Sequence, residues 1–169
     1  MTRARRFEHA SVFPVPVGRL WQFHMRPDAL DLLTPPFPPV RQVDRGDGVT
    51  TGSVVRLRLG LGRFGRDWTA LHTDVQAGRS FTDVALESPF PYWVHLHSFE
   101  EVSRATSRLT DVVYVVPPRW LPGRIGRALL GFALRRLFSW RHARTRALLG
   151  GRPRRPPVRC HRPAVTPLP

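Results

Sequence analysis

The sequence contains no lysine and only one cysteine. The first bears on whether a basic binding surface was selected, and the second on disulfide bonds and the compartment. All 27 basic residues are arginine. A complete absence of lysine is typical of a coding bias towards GC-rich codons, because a selected binding surface normally mixes both basic residues. The lone Cys160 cannot form an internal disulfide bond and fits a reducing compartment. We therefore expect a cytoplasmic protein without a disulfide framework.

Long apolar runs are also missing from the chain. The longest, from Ala128 to Leu134, is far shorter than the roughly 20 residues that cross a bilayer. Arg3, Arg5 and Arg6 near the N-terminus have no apolar segment behind them, so we expect no signal peptide.

Acidic residues are missing from the last third of the sequence. Residues 112–169 hold 13 arginines and no acid, whereas residues 1–111 hold 14 arginines and 12 acids. The net charge of +15 therefore belongs almost wholly to the C-terminal part. This excess leaves open a weak contact with an anionic membrane through the C-terminal helix and tail. Stacking aromatics do not alternate with these arginines, so we expect no specific nucleic-acid partner.

Hydrophobic periodicity predicts an α+β fold with one strand, two short helices, a six-stranded meander and a long C-terminal helix. The turn signals between the last six strands are short, which favours antiparallel pairing. Residues 1–149 would form one domain, and the Pro- and Arg-rich residues 150–169 a disordered tail. The predicted strands are 3–13, 40–44, 52–61, 67–76, 80–88, 92–102 and 106–116, and the predicted helices are 17–25, 28–33 and 123–149.

The long helix carries an apolar stripe that we expect to face the sheet. A seven-stranded antiparallel sheet curled around such a helix is the helix-grip arrangement, and one helix cannot fill the inner side of the sheet. We therefore expect an internal cavity. The residues of the predicted stripe are Ile125, Leu129, Phe132, Leu137 and Trp140.

Period-two alternation places titratable residues among aromatic residues on one face of the last three strands. We predict that this face, with Trp21 and Trp140, lines the cavity and binds a ligand. The residues that share the face are Phe81, Asp83, Trp93, His95, His97, Phe99 and Asp111.

Three interpretations of the polar residues remain open. The first is that these residues form a hydrogen-bonded network that fixes the strand register. The second is that they contact a polar atom of a ligand. The third is that they act as catalytic acids and bases, the candidates being Asp83, His95, His97 and Asp111. His95 and His97 could also ligate a metal with Asp83 or Asp111, but a His-x-His pair alone is a weak signal, so we predict no metal and no cofactor.

We interpret two of the other histidines separately. We interpret His72 as a surface or partly buried polar residue, and His24 as a packing residue near the cavity mouth.

Several segments resemble the SRPBCC (START/Bet v1-like) superfamily, in particular a polyketide cyclase/dehydrase-like bacterial subgroup of unassigned function. The resemblance covers roughly residues 5–148 and implies a helix-grip fold whose cavity binds lipids, sterols, polyketides or quinone-like molecules. The segments that carry it are Phe13-Pro14-Val15-Pro16 with Leu20-Trp21-Gln22-Phe23-His24, Leu33-Thr34-Pro35-Pro36-Phe37, Ser80 to Asp83, Pro89 to Phe99, Leu109-Thr110-Asp111 with Tyr114 and Pro117, and Leu137 to His142.

The sequence thus predicts a protein that binds a small lipophilic molecule, aromatic, polyketide, isoprenoid or lipid-like. The alternatives are a cyclase or dehydratase with an Asp/His acid–base cluster, and a basic accessory protein at a membrane or nucleic acid. Whether the protein is an enzyme, and its oligomeric state, stay open.

Overall fold

The computed structural model describes residues 4–37, 39–44, 46–118, 120–121 and 123–150. Seven strands and three helices follow one another in the predicted order, with a single turn of 3-10 helix at Gly62–Phe64 in the turn after the third strand. The strands are β1 (Arg5–Phe13), β2 (Val40–Asp44), β3 (Val54–Leu59), β4 (Arg66–Gln76), β5 (Ser80–Glu87), β6 (Tyr92–Ser103) and β7 (Thr106–Val116), and the helices are α1 (Val17–His24), α2 (Ala29–Leu32) and α3 (Gly123–Gly150).

All seven strands belong to one antiparallel sheet, in the order β1-β7-β6-β5-β4-β3-β2. The meander β2 to β7 pairs each strand with its successor, as short turns require. The exception is β1, which pairs with β7 from Arg5 opposite Val115 to Phe13 opposite Ser107. The predicted α+β helix-grip architecture is confirmed.

The long helix α3 has two apolar faces, and of the predicted stripe only Leu137 packs against a core cluster. Ile125, Leu129 and Phe132 are exposed, while Leu137 and Trp140 are half-buried. Hydrophobic periodicity shows that a helix face is apolar, but not which element packs against it. In α3, apolar residues recur at helical spacing on two faces. The residues that α3 buries are Gly126, Leu130, Leu134, Phe138, His142, Thr145 and Leu149.

The core on the inner face of the sheet consists of two apolar clusters. The α1 cluster packs α1 and the end of α3 against one part of the sheet, and the α3 cluster packs the first half of α3 against another. The α1 cluster contains Phe13, Val15, Leu20, Phe23, Leu33, Phe81, Phe99, Leu109 and Leu149, and the α3 cluster contains Trp93, Val113, Val115, Leu130, Leu134 and Phe138.

The C-terminal helix ends at Gly150, the first residue of the predicted tail. The remainder of that tail, residues 151–169 with Cys160, lies outside the described residues. Within the described ranges, no helix combines the length and the apolar character needed to cross a membrane.

Candidate functional site

Strand register brings the predicted polar residues together on the inner face of the sheet. Asp83 of β5 lies opposite His95 of β6, and His97 lies opposite Asp111 of β7. Because alternate residues of a strand share a face, all four side chains point to the same side. The structure places the four residues on one inner face, where His95, His97 and Asp111 are buried and Asp83 is partly buried. Ligand binding by this face stays a prediction.

Two more histidines complete the group. His72 of β4 lies opposite Asp83, and its Nδ1 is 2.5 Å from Asp83 Oδ1. His142 of α3 reaches down to the sheet, where its Nε2 is 2.6 Å from Asp111 Oδ2. We call these six residues the His/Asp cluster: His72, Asp83, His95, His97, Asp111 and His142.

The two carboxylates hold the four imidazoles in place. His95 Nε2 lies 2.8 Å from Asp111 Oδ1, and His97 Nε2 lies 3.3 Å from Asp83 Oδ2. The other ring nitrogen of His97, Nδ1, is 2.9 Å from Asp111 Oδ1 but out of line for a hydrogen bond. His97 therefore bridges the two carboxylates, which links β5, β6 and β7 through side chains.

Burial and neighbouring charges shift the pKa values of His97 and His95 in opposite directions. Burial opposes a proton on His97, but the carboxylates of Asp111 and Asp83 outweigh it and raise the pKa of His97 to about 9. Burial and the neighbouring His97 lower the pKa of His95 to about 4. The adjacent histidines outweigh burial at both carboxyl groups and hold the pKa of Asp83 and of Asp111 below the ordinary value.

Access to the His/Asp cluster is one-sided. The Asp83 side chain keeps 22% of its surface exposed, whereas those of His95 and Asp111 keep 4%. The exposed part of the cluster is therefore at Asp83, beside His72 and His97.

Aromatic side chains border this accessible edge. The ring of Phe81 stacks on His97 with the centroids 4.1 Å apart. Trp21 of α1 contacts both Phe81 and Phe99 edge-on, with centroids 6.2 Å and 5.2 Å away. Phe81 and Phe99 are buried in the α1 cluster, and the half-buried Trp21 packs on both, next to the polar edge.

Two of the predicted ligand-lining residues lie elsewhere. Trp93 belongs to the α3 cluster, where it contacts Trp68 and Phe90. Trp140 is half-buried and belongs to neither apolar cluster of the described chain. The structure therefore brings together seven of the nine predicted residues.

Sequence reasoning missed His72 and His142 as members of the site. The interpretation of His72 as a surface or partly buried residue understates its role, because it is buried and bonded to Asp83. The β4–β5 turn at Gly78, which sets His72 opposite Asp83, is the signal that could have found it. His142 has no local signal, since only the packing of α3 brings it to Asp111. The interpretation of His24 as a packing residue agrees with the structure, since its ring packs on Phe99.

The described cavities do not touch the His/Asp cluster. One of about 340 Å³ is lined by Pro39, Val40 and Arg58 among others, and one of about 320 Å³ lies beside Asp31 and Pro36. The expected cavity between helix and sheet is not one of these two. Packed rings and carboxylates occupy the centre of the inner face instead.

A seven-stranded antiparallel sheet with a long helix packed on its inner face defines this chain as a helix-grip protein. No family model and no curated protein sequence matches it. Solved structures do match, and at their low identities they establish the fold alone. They confirm the resemblance to the START/Bet v1-like (SRPBCC) fold.

Three of these structures show the range of the likeness. The Zhui aromatase/cyclase from Streptomyces sp. R1128 has a TM-score of 0.67 and 16% identity, over 87% of this chain and 94% of that chain. Norcoclaurine synthase from Thalictrum flavum, in complex with dopamine and hydroxybenzaldehyde, has a TM-score of 0.63 and 13% identity, over 88% of both chains. The di-domain ARO/CYC BexL from the BE-7585A biosynthetic pathway has a TM-score of 0.62 and 18% identity, over 86% of this chain and 46% of that chain.

Proposed function

We propose that this protein binds a small, mainly aromatic molecule that carries one hydroxyl or carbonyl group. The observation that carries the proposal is the contact between the two surfaces of the site: Phe81 stacks on His97, and His97 bonds Asp83 at the accessible edge. A ring system would pack on Trp21 and Phe81 while its polar atom reaches Asp83 or His97. Structures of similar fold include an aromatase/cyclase and a synthase in complex with dopamine, which supports this chemical class.

The experiment compares 2-naphthol with naphthalene by isothermal titration calorimetry. The hydroxyl of 2-naphthol can satisfy the polar edge, whereas naphthalene leaves these groups unpaired. We expect 2-naphthol to bind at least tenfold more tightly. Equal affinities would contradict a polar contact at the His/Asp cluster.

A pair of tryptophan variants tests where the ring system binds. Trp21→Ala removes the aromatic surface beside Phe81, so we expect about tenfold weaker binding of 2-naphthol. Trp120→Ala is the matched control, because Trp120 is exposed at the start of the α3 region. Equal effects of the two substitutions would place the ligand elsewhere.

A cyclase or dehydratase is the second candidate function. His97 lies within 3.3 Å of both carboxylates, whereas His95, which also faces both, is 3.9 Å from Asp83. If the bound molecule is converted, His97→Ala should abolish turnover while affinity stays within a few-fold. Turnover retained in that variant would exclude the acid–base mechanism.

A contact with an anionic membrane is favoured by the exposed face of α3. Ile125, Leu129 and Phe132 follow one another at helical spacing on that face, and Arg136 is the next residue in line. Apolar residues flanked by arginine are typical of helices that lie at a membrane surface. We propose this contact as a means of positioning the protein, additional to ligand binding.

A further inference from the structure

Three side chains of the His/Asp cluster direct possible ligand atoms toward one point. His97 Nε2 lies 3.3 Å from Asp83 Oδ2, and His95 Nδ1 lies 3.9 Å from the same oxygen. One nitrogen or oxygen from each residue falls within 4.8 Å of the others. Ligands that hold a tetrahedral ion at about 2.0–2.2 Å are roughly 3.3–3.6 Å apart. The His97–Asp83 distance already matches this spacing, and the His95–Asp83 distance exceeds it by a few tenths of an ångström. The pair of atoms farthest apart must close by about an ångström for the three to share one ion.

The second carboxylate lies behind the two histidines. The ring nitrogens that point away from Asp83 are His95 Nε2 and His97 Nδ1, and they lie 2.8 Å and 2.9 Å from Asp111 Oδ1. Metal-ligating histidines commonly present their far N–H to a carboxylate, which fixes the ring and raises its basicity. Asp111 has this geometry toward His95, and it lies close to His97 Nδ1 without a hydrogen bond to it.

The remaining two histidines fix the carboxylates themselves. His72 bonds Asp83 Oδ1 and thereby leaves Oδ2 for the shared point. His142 bonds Asp111 Oδ2 and leaves Oδ1 for His95 and His97. Each carboxylate is therefore oriented by one histidine and faces the other two with its second oxygen.

The two carboxylates of the site favour positive charge, which the protonated His97 supplies in part. A bound metal ion would take the place of that proton. Among the described residues, only histidines lie within ion-pair distance of Asp83 or Asp111. Two carboxylates on the inner face of the sheet are costly unless positive charge balances them, and one divalent ion supplies two charges.

We propose that Asp83, His95 and His97 bind one divalent transition-metal ion, and that Asp111 positions the two imidazoles. Two histidines and one carboxylate are a donor set that suits zinc or ferrous iron. Three protein ligands leave a position open on the accessible side of Asp83, where water or an oxygen atom of a small molecule can coordinate. The sequence predicted no metal because it could not place a third ligand; the strand register supplies one.

The experiment measures metal in the full-length protein, purified without a histidine tag and without chelator. We expect inductively coupled plasma mass spectrometry to find about one zinc or iron per chain. After chelator treatment, calorimetric titration with Zn²⁺ alone should show one site. A Co²⁺-loaded sample should give the absorption spectrum of a four-coordinate ion with nitrogen and oxygen ligands.

Substitutions assign the ion to the proposed ligands. Asp83→Asn and His97→Gln should each abolish the stoichiometric metal, and Asp111→Asn should weaken Zn²⁺ binding by about 10- to 100-fold. His24→Phe is the matched control, because it removes a buried histidine outside the cluster. A second control, Cys160→Ala with His161→Ala, removes donors from the tail and should leave the metal in place.

Circular dichroism establishes that each variant is folded. If a ligand variant does not fold, the Co²⁺ spectrum and the rise of Tm with Zn²⁺ in the wild-type protein still decide the question. A folded wild-type chain that holds no metal and shows no Zn²⁺ site overturns the proposal. So does metal that persists in Asp83→Asn but is lost with Cys160 and His161. Neither outcome bears on the binding of 2-naphthol, which is measured on metal-free protein.

Discussion

His24 shows how a single buried residue makes the stability of this fold depend on pH. It is buried at the end of α1, where its Nδ1 lies 2.8 Å from the Leu20 carbonyl oxygen and its ring packs on Phe99. Burial lowers the pKa of His24 to about 4, although the Leu20 carbonyl partly offsets this effect. The folded protein therefore holds His24 neutral, whereas the unfolded chain protonates it near pH 6.5.

We expect His24→Phe to flatten the acid side of the stability profile. Because the folded-state pKa is depressed, the wild-type contribution is complete above pH 6.5 and is lost as the pH falls towards 4. Between pH 7 and 4.5 the wild-type protein should lose about 2 kcal/mol more unfolding free energy than the variant. Urea denaturation of both proteins at the two pH values measures this difference. Parallel losses would show that His24 is not the group responsible.

At the scale of the element, the orientation of α3 on the sheet, and not its composition, determines which of its leucines enter the core. Leu134 is 5% exposed and belongs to the α3 cluster, whereas Leu129, five residues earlier, is 55% exposed. Both are leucines of the same helix, so their helix propensity is the same. Only the contact with the sheet distinguishes them.

Leu134→Ala should therefore destabilise the protein far more than Leu129→Ala. Removal of a buried leucine side chain costs about 2–5 kcal/mol, since it forfeits both burial and packing. The exposed substitution should stay within about 0.5 kcal/mol of wild type. Chemical denaturation of the two variants measures the contrast. A larger loss in Leu129→Ala would mean that α3 packs with the predicted stripe inward.

At the scale of the whole molecule, charge and polarity are divided between two surfaces. The inner face carries the His/Asp cluster, and nearly all the excess positive charge belongs to residues 112–169. The exposed side of α3 combines part of that charge, such as Arg136, with apolar residues. The proposed ligand site and the proposed membrane contact would therefore use opposite sides of α3.

We expect the protein to sediment with vesicles of phosphatidylglycerol and phosphatidylcholine, and not with phosphatidylcholine alone. High salt should weaken the association because it screens the arginines. Phe132→Ser should weaken it about tenfold, as loss of one buried aromatic ring predicts. Leu86→Ser is the control, since Leu86 is exposed on β5, away from α3. Equal effects of the two substitutions would argue against contact through α3.

Local sequence signals were sufficient for the elements and for one face of the sheet. Period two set Asp83, His95 and His97 on the same side because side-chain direction alternates along any strand, whatever packs on it. Proline and glycine located the turns for a similarly local reason, since they restrict or free the backbone at their own position. These features were predictable because each depends on residues close together in the chain.

Contacts between distant residues were decided only by the tertiary structure. His142 contacts Asp111, 31 positions away in the sequence, because α3 crosses the inner face of the sheet. In that crossing, Leu134 faces the sheet and Leu129 is exposed. Periodicity alone cannot select between two apolar faces of one helix, since both offer burial and the choice depends on the surface they meet. The sequence by itself therefore determined the order of the elements and the direction of the strand side chains. Packing determined which histidines surround the two carboxylates, because burial energy depends on the partners that the fold supplies.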